Sequence, residues 1–159
     1  MVRPWMRGAV AALMLADCVA SRPAVEHTPD QQAVLAVTER FFAAMRDRDS
    51  TALRAMLHPS AVVVMSQNGI TTTPGAVWAG VIGRRPEPLI ERIWDARVEV
   101  DGDIASLWAP YDFYIGERFS HCGHDAFHYV RERGQWRLVS VVFTRQTSGC
   151  TGPPRQGGR

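Results

Sequence analysis

The sequence predicts an α+β fold: a curved antiparallel sheet forming a cone, with N-terminal helices packed across its concave face. Two observations carry this expectation. Residues 28–57 hold helix caps and apolar residues at spacings of three and four. Residues 89–145 run as long strand-like segments broken by turn signals such as Asp101-Gly102 and Arg133-Gly134. Helices that come first, followed by consecutive strands, pack on one face of a sheet and leave a conical cavity between the layers.

Each element has its own signal. Thr28-Pro29-Asp30-Gln31 is a capping box with proline at the first helical position. Val34, Val37, Phe41 and Met45 form the apolar stripe of the helix that follows. Asp49 or Ser50 caps a shorter helix over Thr51–Leu57, and Pro59 stops it. Ala61–Met65 is a strand by its β-branched content. Asn68-Gly69 is a turn, and Thr73-Pro74 opens a third helical piece over Gly75–Ile82. Strands are expected over Leu89–Val100, Ile104–Tyr114, Glu117–Arg131 and Gln135–Arg145, with Ile115-Gly116 as a two-residue turn.

At 159 residues the chain holds one domain with a core, placed at residues 28–146. A net charge of +2 with interspersed signs gives no basic stripe, which excludes nucleic acid as the expected partner. Arg3 and Arg7, the apolar run Gly8–Ala16 and the small residues around Cys18 and Ala20 have the layout of a secretory signal peptide over residues 1–20. Export to the periplasm or the extracellular space is therefore expected, with residues 21–27 as a linker. Two routes compete: cleavage before Ser21, or lipidation at Cys18 within Leu15-Ala16-Asp17-Cys18, the one expected membrane attachment. Residues 147–159, rich in Gly and Pro, are expected to be a disordered tail.

The residues that can do chemistry gather in Trp108–Asp125. With a tight turn at Ile115-Gly116, Asp112 sits opposite Phe119 and diagonal to His121, roughly 7–8 Å away and within side-chain reach. Asp112–His121 is thus the candidate acid/base pair, with Tyr111 or Tyr114 as donor. The competing reading is a structural hydrogen bond. His121 and Asp125 lie four strand residues apart, roughly 13 Å, too far for a direct dyad. Cys122, His124 and His128 span roughly 20 Å on one face, so no metal is expected. Cys122 is open to three readings: a disulfide with Cys150, a buried small hydrophobe, or a nucleophile. Phe41, Trp94, Trp108 and Tyr111 are expected among the cavity's aromatic walls, the competing role being plain core packing.

W-A-P-Y-x-F, G-x-x-F-S-H-C-G-x-D-A-F, G-x-W-R-L and a late T-R with a following G-C resemble bacterial proteins of the nuclear transport factor 2-like superfamily, in its SnoaL-like or lumazine-binding branch. The resemblance spans residues 31–150. It implies an α+β cone with a pocket and, commonly, a homodimer through the sheet. It implies no single reaction, because the superfamily holds ketosteroid isomerases, dehydratases, polyketide cyclases and non-enzymatic binding domains. The isomerase pattern of one pocket Tyr with two Asp does not map onto this chain.

The expectation is therefore an exported domain that binds a small, largely apolar or heteroaromatic molecule without a cofactor. Tyr111, Asp112, His121 and Asp125 would supply its polar contacts. The alternatives are a cofactor-independent isomerase, dehydratase or cyclase using His121 with Asp112, and a dimerisation or interaction module.

Overall fold

The computed structural model describes residues 26–153. The signal peptide, Cys18, nearly all of the linker and the last part of the expected tail lie outside the described residues. Helix α1 spans Pro29–Asp47 and carries the full capping box: Gln31 N–H donates to Thr28 Oγ1 and Thr28 N–H to Gln31 Oε1. Asp49 caps α2, Ser50–Met56, by accepting from the backbone of Thr51 and Ala52 at 3.0 and 2.9 Å. Strand β1 is Leu57–Ser66 and β2 is Ile70–Pro74, followed by α3, Gly75–Gly83. Then come β3 (Leu89–Ile93), β4 (Arg97–Asp101), β5 (Ile104–Ile115), β6 (Arg118–Glu132) and β7 (Gln135–Thr144).

The sheet has seven strands in the order β2-β1-β7-β6-β5-β3, with β4 also paired to β5. It is curved and unclosed, and α1 packs against β3, β4 and β7. The α+β class and the helices against the sheet agree with the sequence expectation. The sheet is mixed, because β1 runs parallel to β7 and every other pairing is antiparallel. Strand β2 was not expected; Ile70–Pro74 pairs back on β1 after the Asn68-Gly69 turn.

The single strand expected over Leu89–Val100 is two. Asp95 takes a left-handed φ of 48° and breaks it. Both halves then pair with the same long β5: Arg97–Asp101 with its first residues, Leu89–Ile93 with its last. The core lies between α1 and the sheet, where Val34, Val37, Phe41 and Met45 meet Leu107, Phe127 and Leu138. Thr38 and Tyr129, both buried there, satisfy each other at 2.7 Å.

The turn between β5 and β6 falls at Gly116-Glu117, one residue later than expected, with Gly116 at φ 59°. A bulge follows. Tyr114 pairs with Phe119 and Phe113 with His121, so Ser120 is the extra residue on β6. A second register shift separates His128 from Tyr129 in the pairing with β7.

Beyond β7 the chain stays on the sheet. Gln146 exchanges backbone hydrogen bonds with Cys122 at 2.9 Å in both directions, and Cys150 forms a disulfide with Cys122. Their Cα atoms are 5.8 Å apart, within the usual span. The bond across 28 residues stabilises the fold by about 3–4 kcal/mol in the loop-entropy account. It leaves no Cys122 thiolate to act as a nucleophile.

Gly123 is required by an adjacent close approach. A Cβ there would stand 2.0 Å from the carbonyl oxygen of Thr144 and 2.7 Å from its Oγ1. Backbone cannot step aside as a flexible side chain can. Gly123→Ala is therefore expected to lower stability by about 1–3 kcal/mol, read as a drop in the denaturation midpoint. An unchanged midpoint would mean that the Thr144 backbone yields.

Candidate functional site

Side chains alternate along a strand, so the observed register decides what faces the helices. On β3 these are Leu89 and Glu91; on β5, Tyr111, Phe113 and Ile115; on β6, His121, Asp125 and Phe127; on β7, Val141 and Phe143, with Arg145 just beyond it. With Phe41 and Met45 of α1 and Trp78 and Ile82 of α3 they enclose a cavity of about 230 Å³. Phe41 stacks on Trp78 at 5.5 Å and meets Phe127 edge-on at 6.2 Å, which fixes the apolar wall.

Asp125 is the deepest polar residue, 1% exposed between Ala109 and Phe143. Its Oδ2 is buried and receives no N–H or O–H from protein donors among the described residues. Glu91 meets it from β3, carboxyl to carboxyl. Burial pushes the Glu91 carboxyl up to about 7, with the charge of Asp112 adding to the rise. Burial also holds Asp125 well above the usual carboxylate range, aided by the charge and hydrogen bond of Glu91. Two adjacent anions in an apolar cavity repel, so the pair keeps one proton between them at neutral pH.

The other polar groups surround this pair. Tyr111, 1% exposed, donates its hydroxyl to the Thr144 carbonyl at 2.8 Å. Burial, then the charges of Asp125 and Glu91, raise its pKa far above the ordinary value, so it stays a neutral phenol. His121 stacks on Phe113 at 4.6 Å and bonds Ser120 Oγ at 3.0 Å. Burial, then the Arg145 charge, lower it to about 4, so it is a neutral imidazole at physiological pH. Arg145 is held by Gln67 at 2.7 Å. Exposed Arg85 also lines the cavity, on its solvent side.

The structure sorts the residues expected from the sequence. Phe41, Tyr111, His121 and Asp125 line the cavity, with Phe113 and Phe127 among its aromatic walls. Asp112 does not. It pairs across the sheet with Arg92, whose Nε donates to it at 2.8 Å and whose Nη2 makes a second, shorter bond. Asp112 stands opposite Cys122, on the convex face, so the Asp112–His121 pair is not formed. The cause is the bulge at Ser120, which moves His121 to the other side of the sheet from Asp112. Tyr114, the alternative donor, also bonds Arg92, at 3.0 Å. Trp108 is half-exposed on the convex face, stacked on His124 at 5.4 Å. Trp94 lines a different depression with Leu35 and Phe42, between α1 and the break separating β3 from β4.

Sequence reasoning missed Glu91, and a signal for it exists. In Leu89-Ile90-Glu91-Arg92-Ile93 the acid occupies the same alternation phase as Leu89 and Ile93, the buried phase. Among the described residues no group of three His, Cys, Asp or Glu side chains comes together as metal ligands would.

With this geometry in hand the comparisons are specific. The family described as "Putative lumazine-binding" matches residues 29–144, and the chain belongs to that family, within the nuclear transport factor 2-like superfamily. A search of curated proteins found no match. A nuclear transport factor 2-like protein of unknown function from Shewanella baltica is 24% identical, with a TM-score of 0.60 over 77% of this chain and 100% of that one. One from Cytophaga hutchinsonii is 11% identical, with a TM-score of 0.66 over 75% and 100%. A Streptomyces avermitilis protein described as a "putative dehydratase from the NTF2-like family" is 18% identical, with a TM-score of 0.61 over 75% and 97%. These likenesses show the fold.

The buried groups predict how stability depends on pH. The unfolded chain protonates His121 at its ordinary 6.5, the folded one only at about 4. His121 therefore makes stability rise with pH up to 6.5 and adds no slope above it. Glu91 and Asp125 do the reverse: folded, they keep protons that the unfolded chain loses near 4.5 and 3.8. Their contribution is complete below those values; that of Glu91 is lost as pH rises through about 7, and that of Asp125 as pH rises through its own raised value. The two effects oppose below 6.5, and the carboxyls act alone above it. The melting temperature is expected to fall from pH 6.5 to about 8.5 in the wild type, and Glu91→Gln should flatten that fall. A wild-type profile already flat in this window would rule out the shared proton.

Proposed function

We propose that the chain is an exported domain that binds a small, compact, largely apolar or heteroaromatic molecule in the cavity between α1, α3 and the sheet. The observation that carries the reading is the cavity's composition. Its walls are aromatic and aliphatic, and its few polar groups converge from β3, β5, β6 and β7. Its volume of about 230 Å³ lies just under the range of about 300–1,000 Å³ typical of drug-sized pockets, which suits one or two fused rings. Phe41, Trp78 and Phe127 supply faces for stacking. The family's description as lumazine-binding supports a heteroaromatic occupant.

Export is supported by the Cys122–Cys150 bond, since such bonds persist in oxidising compartments. A mass shift on Cys18→Ala would separate lipidation from plain cleavage. We also propose a homodimer through the convex face, where Trp108 and Val142 are exposed large hydrophobics.

One observation favours acid–base catalysis as a second reading: a proton-holding carboxyl pair lines the same cavity as a neutral imidazole. In that reading the reaction class is isomerisation or dehydration without a cofactor. Asp125 and Glu91 then take the role first expected of Asp112.

Val141, buried on the cavity wall, gives the test. Thermal shift of the full chain with a panel of one- and two-ring heteroaromatics should raise the wild-type melting temperature. A folded Val141→Phe, with its cavity filled, should show no rise. Equal rises in both proteins would move binding elsewhere, and no rise with any compound would sink the binding reading. Should a bound compound be turned over, Glu91→Gln is expected to lose turnover while keeping binding.

A further inference from the structure

We infer that the Glu91–Asp125 carboxyl pair is the anchor for a ring N–H of the bound molecule, so that the cavity selects lactam-type heteroaromatics over ring systems of the same shape that lack the donor. The inference rests on the binding role proposed for this cavity and names the ligand chemistry.

Asp125 is enclosed and Glu91 half-buried, and among the described residues no neighbour donates to Asp125 Oδ2. From β5, Tyr111 points its hydroxyl away, to the Thr144 carbonyl at 2.8 Å. From β6, Tyr129 is engaged with Thr38 at 2.7 Å and His121 with Ser120 at 3.0 Å. Just after β7, Arg145 turns its Nη1 to Gln67 at 2.7 Å. The α1 residues on the cavity are Phe41 and Met45, which have no donor. Arg92, next to Glu91 in sequence, is turned to Asp112 on the convex face. Among the described residues no N–H or O–H reaches Asp125 Oδ2, although Asp125 is 1% exposed.

Two carboxyls offer about eight lone-pair sites, and one shared proton fills only a fraction of them. Acceptors left open in an apolar cavity are costly. A donor carried by the ligand removes that cost. The pair also discriminates against an acceptor: a ring oxygen placed where the N–H belongs would set its lone pairs against those of the unprotonated carboxyl oxygens. A missing donor at a buried polar site is rejected far more strongly than a missing methylene is in an apolar pocket. The walls recognise a flat ring, and the pair recognises its N–H.

The test uses two probes of nearly equal shape, isoquinolin-1(2H)-one and isochromen-1-one, which differ only by N–H against O in the ring. Calorimetric titration of the full chain should find the lactam bound more tightly by about tenfold to a hundredfold. In Asp125→Leu, of the same branched skeleton and without an acceptor, the two probes should bind alike. Equal affinity for both in the wild type would overturn the inference and leave the binding role standing. A preference that persists in Asp125→Leu would overturn it as well, by assigning selection to another group. Neither probe binding, with no compound of the wider panel raising the melting temperature, would overturn the binding role itself. Because the wild-type comparison needs no variant, the inference stays testable if Asp125→Leu does not fold.

Discussion

The pairing of β5 with β6 determines what the cavity contains. These two longest strands cross the middle of the sheet, and one extra residue in β6, Ser120, sets their phase. Because side chains alternate, a shift of one residue exchanges the faces of everything beyond it. With the bulge, His121 and Asp125 turn toward the helices, while Asp112 and Trp108 turn away. Without it, the register of Ile115 with Arg118 and Tyr114 with Phe119 would place Asp112 directly opposite His121 on one face. Bulges bend a strand and re-aim a side chain, and here the re-aimed residue is the cavity's imidazole.

The same strands are pinned at the neighbouring β7 by three contacts that act together. Gly123 leaves room for the Thr144 backbone. Thr144 uses that room twice: its carbonyl holds the Tyr111 hydroxyl at 2.8 Å, and its Oγ1 accepts from the His124 backbone at 3.0 Å. On the opposite face the Cys122–Cys150 bond ties the following segment down. The cross-link and the close approach thus flank the site without entering it. Their effect on the site is positional: a Tyr111 locked to backbone cannot rotate to satisfy the carboxyl pair.

Much of this was legible in the sequence, and the failures have physical causes. The caps of α1 and α2 are local chemistry, written in Thr28, Gln31 and Asp49, and they read directly. The strand-rich second half reads from alternation and turn dipeptides. Register does not, because it is settled by which of several turns and bulges gives the best packing across strands. A one-residue error at Gly116 together with one bulge was enough to pair Asp112 with the wrong partner. The parallel β1–β7 pairing carries no local signal either, since strands distant in sequence leave no turn to read. Glu91 was legible in principle: its phase in β3 is apolar, and an acid in that phase is the informative exception.

That exception bears on function more than on stability. A buried pair of acids is a poor way to hold a protein together. Apolar residues of similar volume often do as well as buried polar groups or better, because the cost of removing charge from water is avoided. Here the cost is moderated in two ways: the pair carries one proton rather than none, and Tyr111 and His121 beside it are kept neutral by the same burial. The outcome is a cavity of low charge that still offers strong acceptors. Water would serve those acceptors in an open cleft. In a cavity of about 230 Å³ walled by Phe41, Trp78 and Phe127, the group best placed to serve them is one that also fills the apolar volume, which is the description of a flat, donor-bearing ring.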